Sequence, residues 1–129
     1  MLYAILCYND ENVIAKWSQA EDDAVMARLG GIAEKLAARG KLGPVARLVP
    51  TKQAKALRKG SGGPAAVTDG PFAETKEHLL GFYLVDCKDV DEAVGIAKEL
   101  QAANSGPSAY EIRPVAFYTP GTKPVERVA

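Results

Sequence analysis

Two runs, Leu2 to Tyr8 and Leu79 to Cys87, are apolar at alternate and intervening positions alike. A strand of that kind is covered on both faces, because a half-exposed strand alternates apolar with polar residues. The fold must therefore bring cover to two faces of the same central strands, and the rest of the sequence decides where that cover comes from.

Ser18-Gln19-Ala20-Glu21 reads as a capping box, in which the serine hydroxyl takes an amide of the first turn and the glutamate returns to the amide of the serine. Val25, Leu29, Ile32 and Leu36 follow at helical spacing, and Gly40 stands where the helix should stop. Gly30-Gly31 should each cost about 1 kcal/mol relative to alanine, so the pair is expected to permit close packing on a sheet. A second helix start at Asp89-Val90-Asp91-Glu92 leads into a stripe of Ala93, Val94, Ala97 and Leu100 and ends near Asn104.

Leu42 to Val49 reads as a strand weakened by Gly43 and Pro44, and Lys52 to Lys59 as a short strand carrying Lys52, Lys55, Arg58 and Lys59. Gly60-Ser61-Gly62-Gly63-Pro64 has hairpin-tip composition, Ala65 to Thr68 is the returning strand, and Tyr110 to Tyr118 is the last strand. This order predicts an α+β, ferredoxin-like βαββαβ domain over residues 1–118, with an antiparallel sheet and an inserted hairpin. Residues 119–129, with Pro120, Gly121 and Pro124, form a tail without periodicity that is expected to order on a partner surface.

Two helices cover only one face of such a sheet. The other face keeps either Leu2, Ala4 and Leu6 or their alternates Tyr3, Ile5 and Cys7, and would expose an apolar patch. A symmetric homodimer packed sheet on sheet is the expected cover; a monomer covered by its own tail is the alternative.

With 16 basic and 16 acidic residues in 129, the chain has no formal net charge, which argues against non-specific binding to nucleic acid or a membrane surface. No run approaches the ~20 apolar residues of a membrane span and no basic segment leads an apolar start, so a cytoplasmic protein is expected. Cys7 and Cys87 lie inside strand-like runs and read as buried free thiols. One histidine and two distant cysteines cannot build a zinc site, the acids form no calcium loop, and Gly60 to Gly63 lacks the flanks of a phosphate loop. No metal and no cofactor are expected.

Between the hairpin and the second apolar strand, Thr68 to Glu77 reads TDGPFAETKE. Asp69-Gly70 signals a turn, Gly70 is expected at positive φ or in an extended conformation, and Pro71 stiffens the turn. This run resembles the signature of the DGPF-type branch of the YCII-related family, and the similarity extends from the Leu2–Tyr8 strand to the segment Glu111–Val115. The resemblance implies a dimeric α/β barrel; some relatives resemble dehydrochlorinating or other small-molecule enzymes, and others look like neighbours of extracytoplasmic-function sigma factors. The wider family is thought to use a histidine with an aspartate, the histidine lying in the first helix, where this chain has Arg28, Leu29 and Gly30.

Asp69, Glu74 and Lys76 are the catalytic candidates, and Phe72, Thr75, His78 and Arg113 the ligand-binding ones. Asp69 can form the turn by bonding amides two residues on, or act as a base. Glu74 and Lys76 share a face if the segment is extended, either as a solvated ion pair or as an acid/base and cation pair lining a cleft. His78, the only histidine, is expected to face solvent. Arg113 shares a strand face with Glu111, and is either paired with a buried acid such as Glu74 or Asp69 or holds an anionic ligand. Together these predict a small-molecule cleft formed by the signature segment, the first helix and the last strand, whether or not the protein is an enzyme. Acid/base chemistry on a small oxygenated or aromatic metabolite is one reading, and a regulatory module that binds a sigma factor is the other.

Overall fold

Strand alternation and register place the core. The structure, a computed structural model, describes residues 1–122, and its elements are β1 (Leu2–Asn9), α1 (Glu11–Ile14), α2 (Gln19–Ala38), β2 (Leu42–Arg47), β3 (Lys55–Arg58), β4 (Ala66–Asp69), β5 (His78–Asp86), α3 (Val90–Ala103) and β6 (Ser108–Pro114). A 3-10 turn spans Thr51–Gln53. The main sheet has the order β2-β5-β1-β6 with antiparallel neighbours throughout, and β3 and β4 pair separately as a two-stranded hairpin. This α+β arrangement is consistent with a ferredoxin-like fold. The last strand starts two residues earlier than the periodicity suggests and ends at Pro114; its tail beyond residue 122 lies outside the described residues.

Along β1, Tyr3, Ile5, Cys7 and Asn9 are buried, and the first three of them pack with Leu36, Val85, Ala93, Ile96, Ala97 and Leu100. The helices thus cover the face carrying Tyr3, Ile5 and Cys7, while Leu2, Ala4 and Leu6 lie on the opposite one. In register with them there are Phe82 and Leu84 on β5 and Glu111 and Arg113 on β6. On α3, Ile96 is buried and Val94 only half-buried, a shift along the stripe from the sequence reading. Both cysteines are buried and free.

Local signals held where they are self-contained. Ser18 Oγ accepts from Glu21 N at 3.1 Å while Glu21 Oε1 takes Ser18 N at 3.4 Å, completing the capping box. Gly70 has φ +90°, the left-handed region that favours glycine. Gly30 and Gly31 correct the expectation of close packing: a Cβ at either would meet nothing within 4 Å, so they face open space rather than the sheet. Close approach occurs instead at Gly81, where a Cβ would lie 2.7 Å from the Ala46 carbonyl oxygen of β2.

The register of β1 against β5 shifts between Cys7 and Tyr8, so that Cys7 opposes Gly81 but Tyr8 opposes Leu79 and Asn9 opposes His78. A bulge inverts which side chains face which side of the sheet beyond it. It turns His78 onto the helix side, beside buried Asn9. Among the described residues, no helix is long and apolar enough to cross a membrane.

Candidate functional site

A cleft of about 1100 Å3 opens on the helix side at the end of the sheet where the bulge lies. Val25, Met26 and Leu29 from α2, Trp17 from the α1–α2 connection, and Val45 and Tyr83 from the sheet supply apolar walls. Arg47 of β2, donating to Asp22 Oδ1 at 3.0 Å, ties the sheet edge to α2 beside it. The signature segment closes the remaining side with Gly70, Pro71, Glu74, Thr75 and Lys76.

Three elements meet at Glu11. Asp10 caps α1 by accepting from Asn12 N at 2.9 Å, which sets Glu11 in the first turn. Its carboxylate then takes Thr51 N on Oε1 and Thr51 Oγ1 on Oε2, both at 2.7 Å, joining α1 to the 3-10 turn that follows Pro50. Glu11 Oε2 also lies 3.7 Å from His78 Nδ1, and the two side chains are only 20% and 15% exposed. The other imidazole nitrogen, Nε2, is shielded from solvent and has no hydrogen-bond partner among the described residues. Leaving a buried acceptor or donor unmade costs about 1–3 kcal/mol, so such an atom rewards any group that partners it.

A second polar cluster lies on the same lining. Asn104, the residue that ends α3, donates from Nδ2 to Asn9 Oδ1 at 3.0 Å and to the Tyr110 hydroxyl at 3.5 Å, while its Oδ1 is buried without a partner among the described residues. Burial pushes the Cys7 thiol up to about 11, against a hydrogen bond from Tyr110 that lowers it. Burial likewise raises the Tyr110 phenol to about 12 and raises Tyr83. These groups are neutral near pH 7, and Cys7 is no nucleophile there.

The signature candidates divide. Glu74, Thr75, Lys76 and His78 line the cleft; Asp69, Phe72 and Arg113 do not. His78 corrects the expectation of a solvent-facing residue, because the β-bulge aims it inward. Asp69 forms no turn bond to the residue two on, since that residue is Pro71 and has no N–H. Its carboxylate points outward, 84% exposed, and pairs with Lys55 Nζ at 2.5 Å across the hairpin. Phe72 is 74% exposed, and its carbonyl accepts from Arg58. Arg113 lies opposite Ala4 on the face away from the helices, exposed and without an ion pair to Glu74 or Asp69. The last strand reaches the cleft through Tyr110 instead. Glu74 and Lys76 do not form an ion pair, and the segment that carries them is irregular rather than extended.

Glu11, Thr51, Asn9, Asn104 and Trp17 escaped the sequence reading. Asn9 and Asn104 carried a signal that could have found them: a polar side chain at an inward strand position, and a helix-ending Asn near it in the fold.

The sequence matches the description of the YCII-related domain over residues 1–116. The chain belongs to the YCII-related family. This YCII-related chain is also 56% identical over 124 residues to an uncharacterized protein of Rhizobium meliloti (strain 1021), covering 96% of the chain and 99% of that relative.

Proposed function

We propose that this YCII-related protein, of the DGPF-type branch, binds a small oxygenated or aromatic metabolite in the helix-side cleft and performs cofactor-independent acid/base chemistry on it. The observation that carries this reading is the meeting of apolar walls, Trp17, Met26, Leu29 and Tyr83, with His78, Glu11, Glu74 and Lys76 on one lining. Ligand sites have that composition: mostly apolar, with a few converging polar groups that fix orientation. The two chains of a homodimer would pack the faces bearing Leu6, Phe82 and Leu84 against each other, as in a dimeric α/β barrel, and leave one cleft per subunit.

A thermal-shift screen of small phenols, keto acids and hydroxy acids tests the reading, with Trp17, the single tryptophan, as a fluorescence reporter on the cleft. Compounds that raise the midpoint and quench Trp17 together support it. A screen in which no compound does either counts against it and favours the regulatory, sigma-factor-binding alternative.

A further inference from the structure

We propose that His78 is the proton-accepting group of the cleft and that Glu11 is the residue that positions it. The proposal rests on the reading of the cleft as a small-molecule site. Both oxygens of Glu11 are anchored at 2.7 Å on Thr51, one on its amide and one on its hydroxyl, so the carboxylate is held in place beside His78 Nδ1. A carboxylate can only accept hydrogen bonds. At 3.7 Å the pair is longer than a hydrogen bond, but the nearby negative charge favours the tautomer of the neutral imidazole with its proton on Nδ1 and its lone pair on Nε2, the nitrogen without a protein partner among the described residues.

An imidazole held this way takes a proton from a ligand O–H or from a C–H beside a carbonyl. The Nε2 lone pair forms the new N–H bond, and the electrons of the broken O–H or C–H bond stay on the ligand as a phenolate or enolate. The imidazolium so formed faces the Glu11 carboxylate, and Lys52 and Lys76 on the same lining are cations available to the ligand anion. Trp17, Met26 and Leu29 suit a ring, so the substrate class is a phenol or a ring-bearing carbonyl compound. Nε2 is shielded from solvent, and His78 shares a small hollow with Pro71, Phe72 and Glu77; that irregular segment is what must give way for a ligand to reach the nitrogen.

His78 is the only histidine, so the imidazole of the full chain labelled with 15N-histidine is read without overlap. Long-range proton–nitrogen correlations, recorded where the ring is neutral, are expected to show the Nδ1–H tautomer in the native protein. Glu11→Ala should revert toward Nε2–H, the form free imidazole side chains prefer. Thr51→Val, which removes only the hydroxyl anchor, should shift the tautomer in the same direction and keeps the test open if Glu11→Ala does not fold. A native Nε2–H tautomer overturns the proposal. As the ligand probe, 4-nitrophenol should show a stronger phenolate band with the native chain, and His78→Gln should weaken this by roughly tenfold in apparent affinity. If 4-nitrophenol quenches Trp17 equally in both proteins without raising the phenolate band, the cleft binds but His78 takes no proton, and the proposal alone falls. No quenching at all overturns the small-molecule reading and this proposal with it.

Discussion

Glu11 Oε2 lies 3.7 Å from His78 Nδ1, and this one approach joins a four-residue helix to the first residue of a central strand. Two local devices make it: the Asp10 cap that starts α1 and the bulge that turns the start of β5 inward. Because both partners are largely buried and Glu11 also holds Thr51, Glu11→Ala should destabilise the fold as well as disturb the ring. A loss of about 1–3 kcal/mol in urea unfolding is the expected outcome, and an unchanged midpoint would show that Thr51 is held by other means.

Gly70 provides a test of the turn alone. A side chain there would find open space but would have to adopt φ +90°. Gly70→Val should therefore destabilise by roughly 1–3 kcal/mol through backbone strain and not through a clash. A neutral result in urea unfolding would mean that the turn rearranges freely.

Gly30 and Gly31 should respond in the opposite sense. Neither meets a neighbour and neither has positive φ, so alanine at either position fits the helix and reduces the freedom of the unfolded chain. Each substitution is expected to stabilise by about 0.5–1 kcal/mol, read as a raised thermal midpoint. A lowered midpoint would point to a packing role that the structure does not contain.

These glycines show where the sequence was legible and where it was not. The capping box, the positive φ of Gly70, the two long helices and the order of the six strands depend on residues close in the chain and agree with the structure, whereas the short helix α1 has no counterpart in the sequence reading. Alternation correctly put Glu111 and Arg113 on one face, but period alone cannot say which face meets the helices. The helix packing against Tyr3, Ile5 and Cys7 decides that, and it leaves Arg113 on the far side. The Glu11–Thr51 bond crosses 40 residues, and Glu11 sits in a helix too short for a periodic signal. The β-bulge leaves no mark in the sequence, and His78 lies between the signature and the apolar run that starts at Leu79, so nothing near it in the chain shows that it faces inward.

Assembly is testable apart from the cleft. Leu6 and Phe82 oppose each other in register at the centre of the sheet face that the helices leave open. Sedimentation equilibrium at micromolar protein is expected to give twice the 13.7 kDa chain mass, and Phe82→Glu should return it to the single-chain value. A native protein at the single-chain mass would defeat the barrel arrangement.

The buried thiol predicts a pH dependence with a definite sign. Cys7 ionises at its ordinary 9.0 in the unfolded chain but, desolvated, only at about 11 in the fold. Between those values the unfolded state binds fewer protons, so stability is fully present below pH 9 and falls as pH rises toward 11. The loss attributable to Cys7 is on the order of 2 kcal/mol. Burial of Tyr110, whose folded value is about 12, extends the decline in the same direction. Urea unfolding across this range should show a shallower slope with pH in Cys7→Ala, and equal slopes would remove Cys7 as the cause.

Glu74 and Lys76 separate binding from stability, because both line the cleft yet are exposed and make no ion pair among the described residues. Exposed, unpaired charges contribute little to folding, so Glu74→Gln and Lys76→Met should leave the thermal midpoint nearly unchanged. Their effect should fall on the ligand. If Lys76 balances a ligand anion, Lys76→Met is expected to weaken binding of a screened phenol or keto acid by roughly tenfold or more, with a steeper loss at pH values where the ligand is ionised. Asp69→Asn, outside the cleft and paired only with exposed Lys55, should alter neither binding nor stability appreciably. Unfolding by Glu74→Gln or Lys76→Met with affinity spared would make the signature segment a structural clasp and shift the ligand site toward the Asn9–Asn104–Tyr110 cluster.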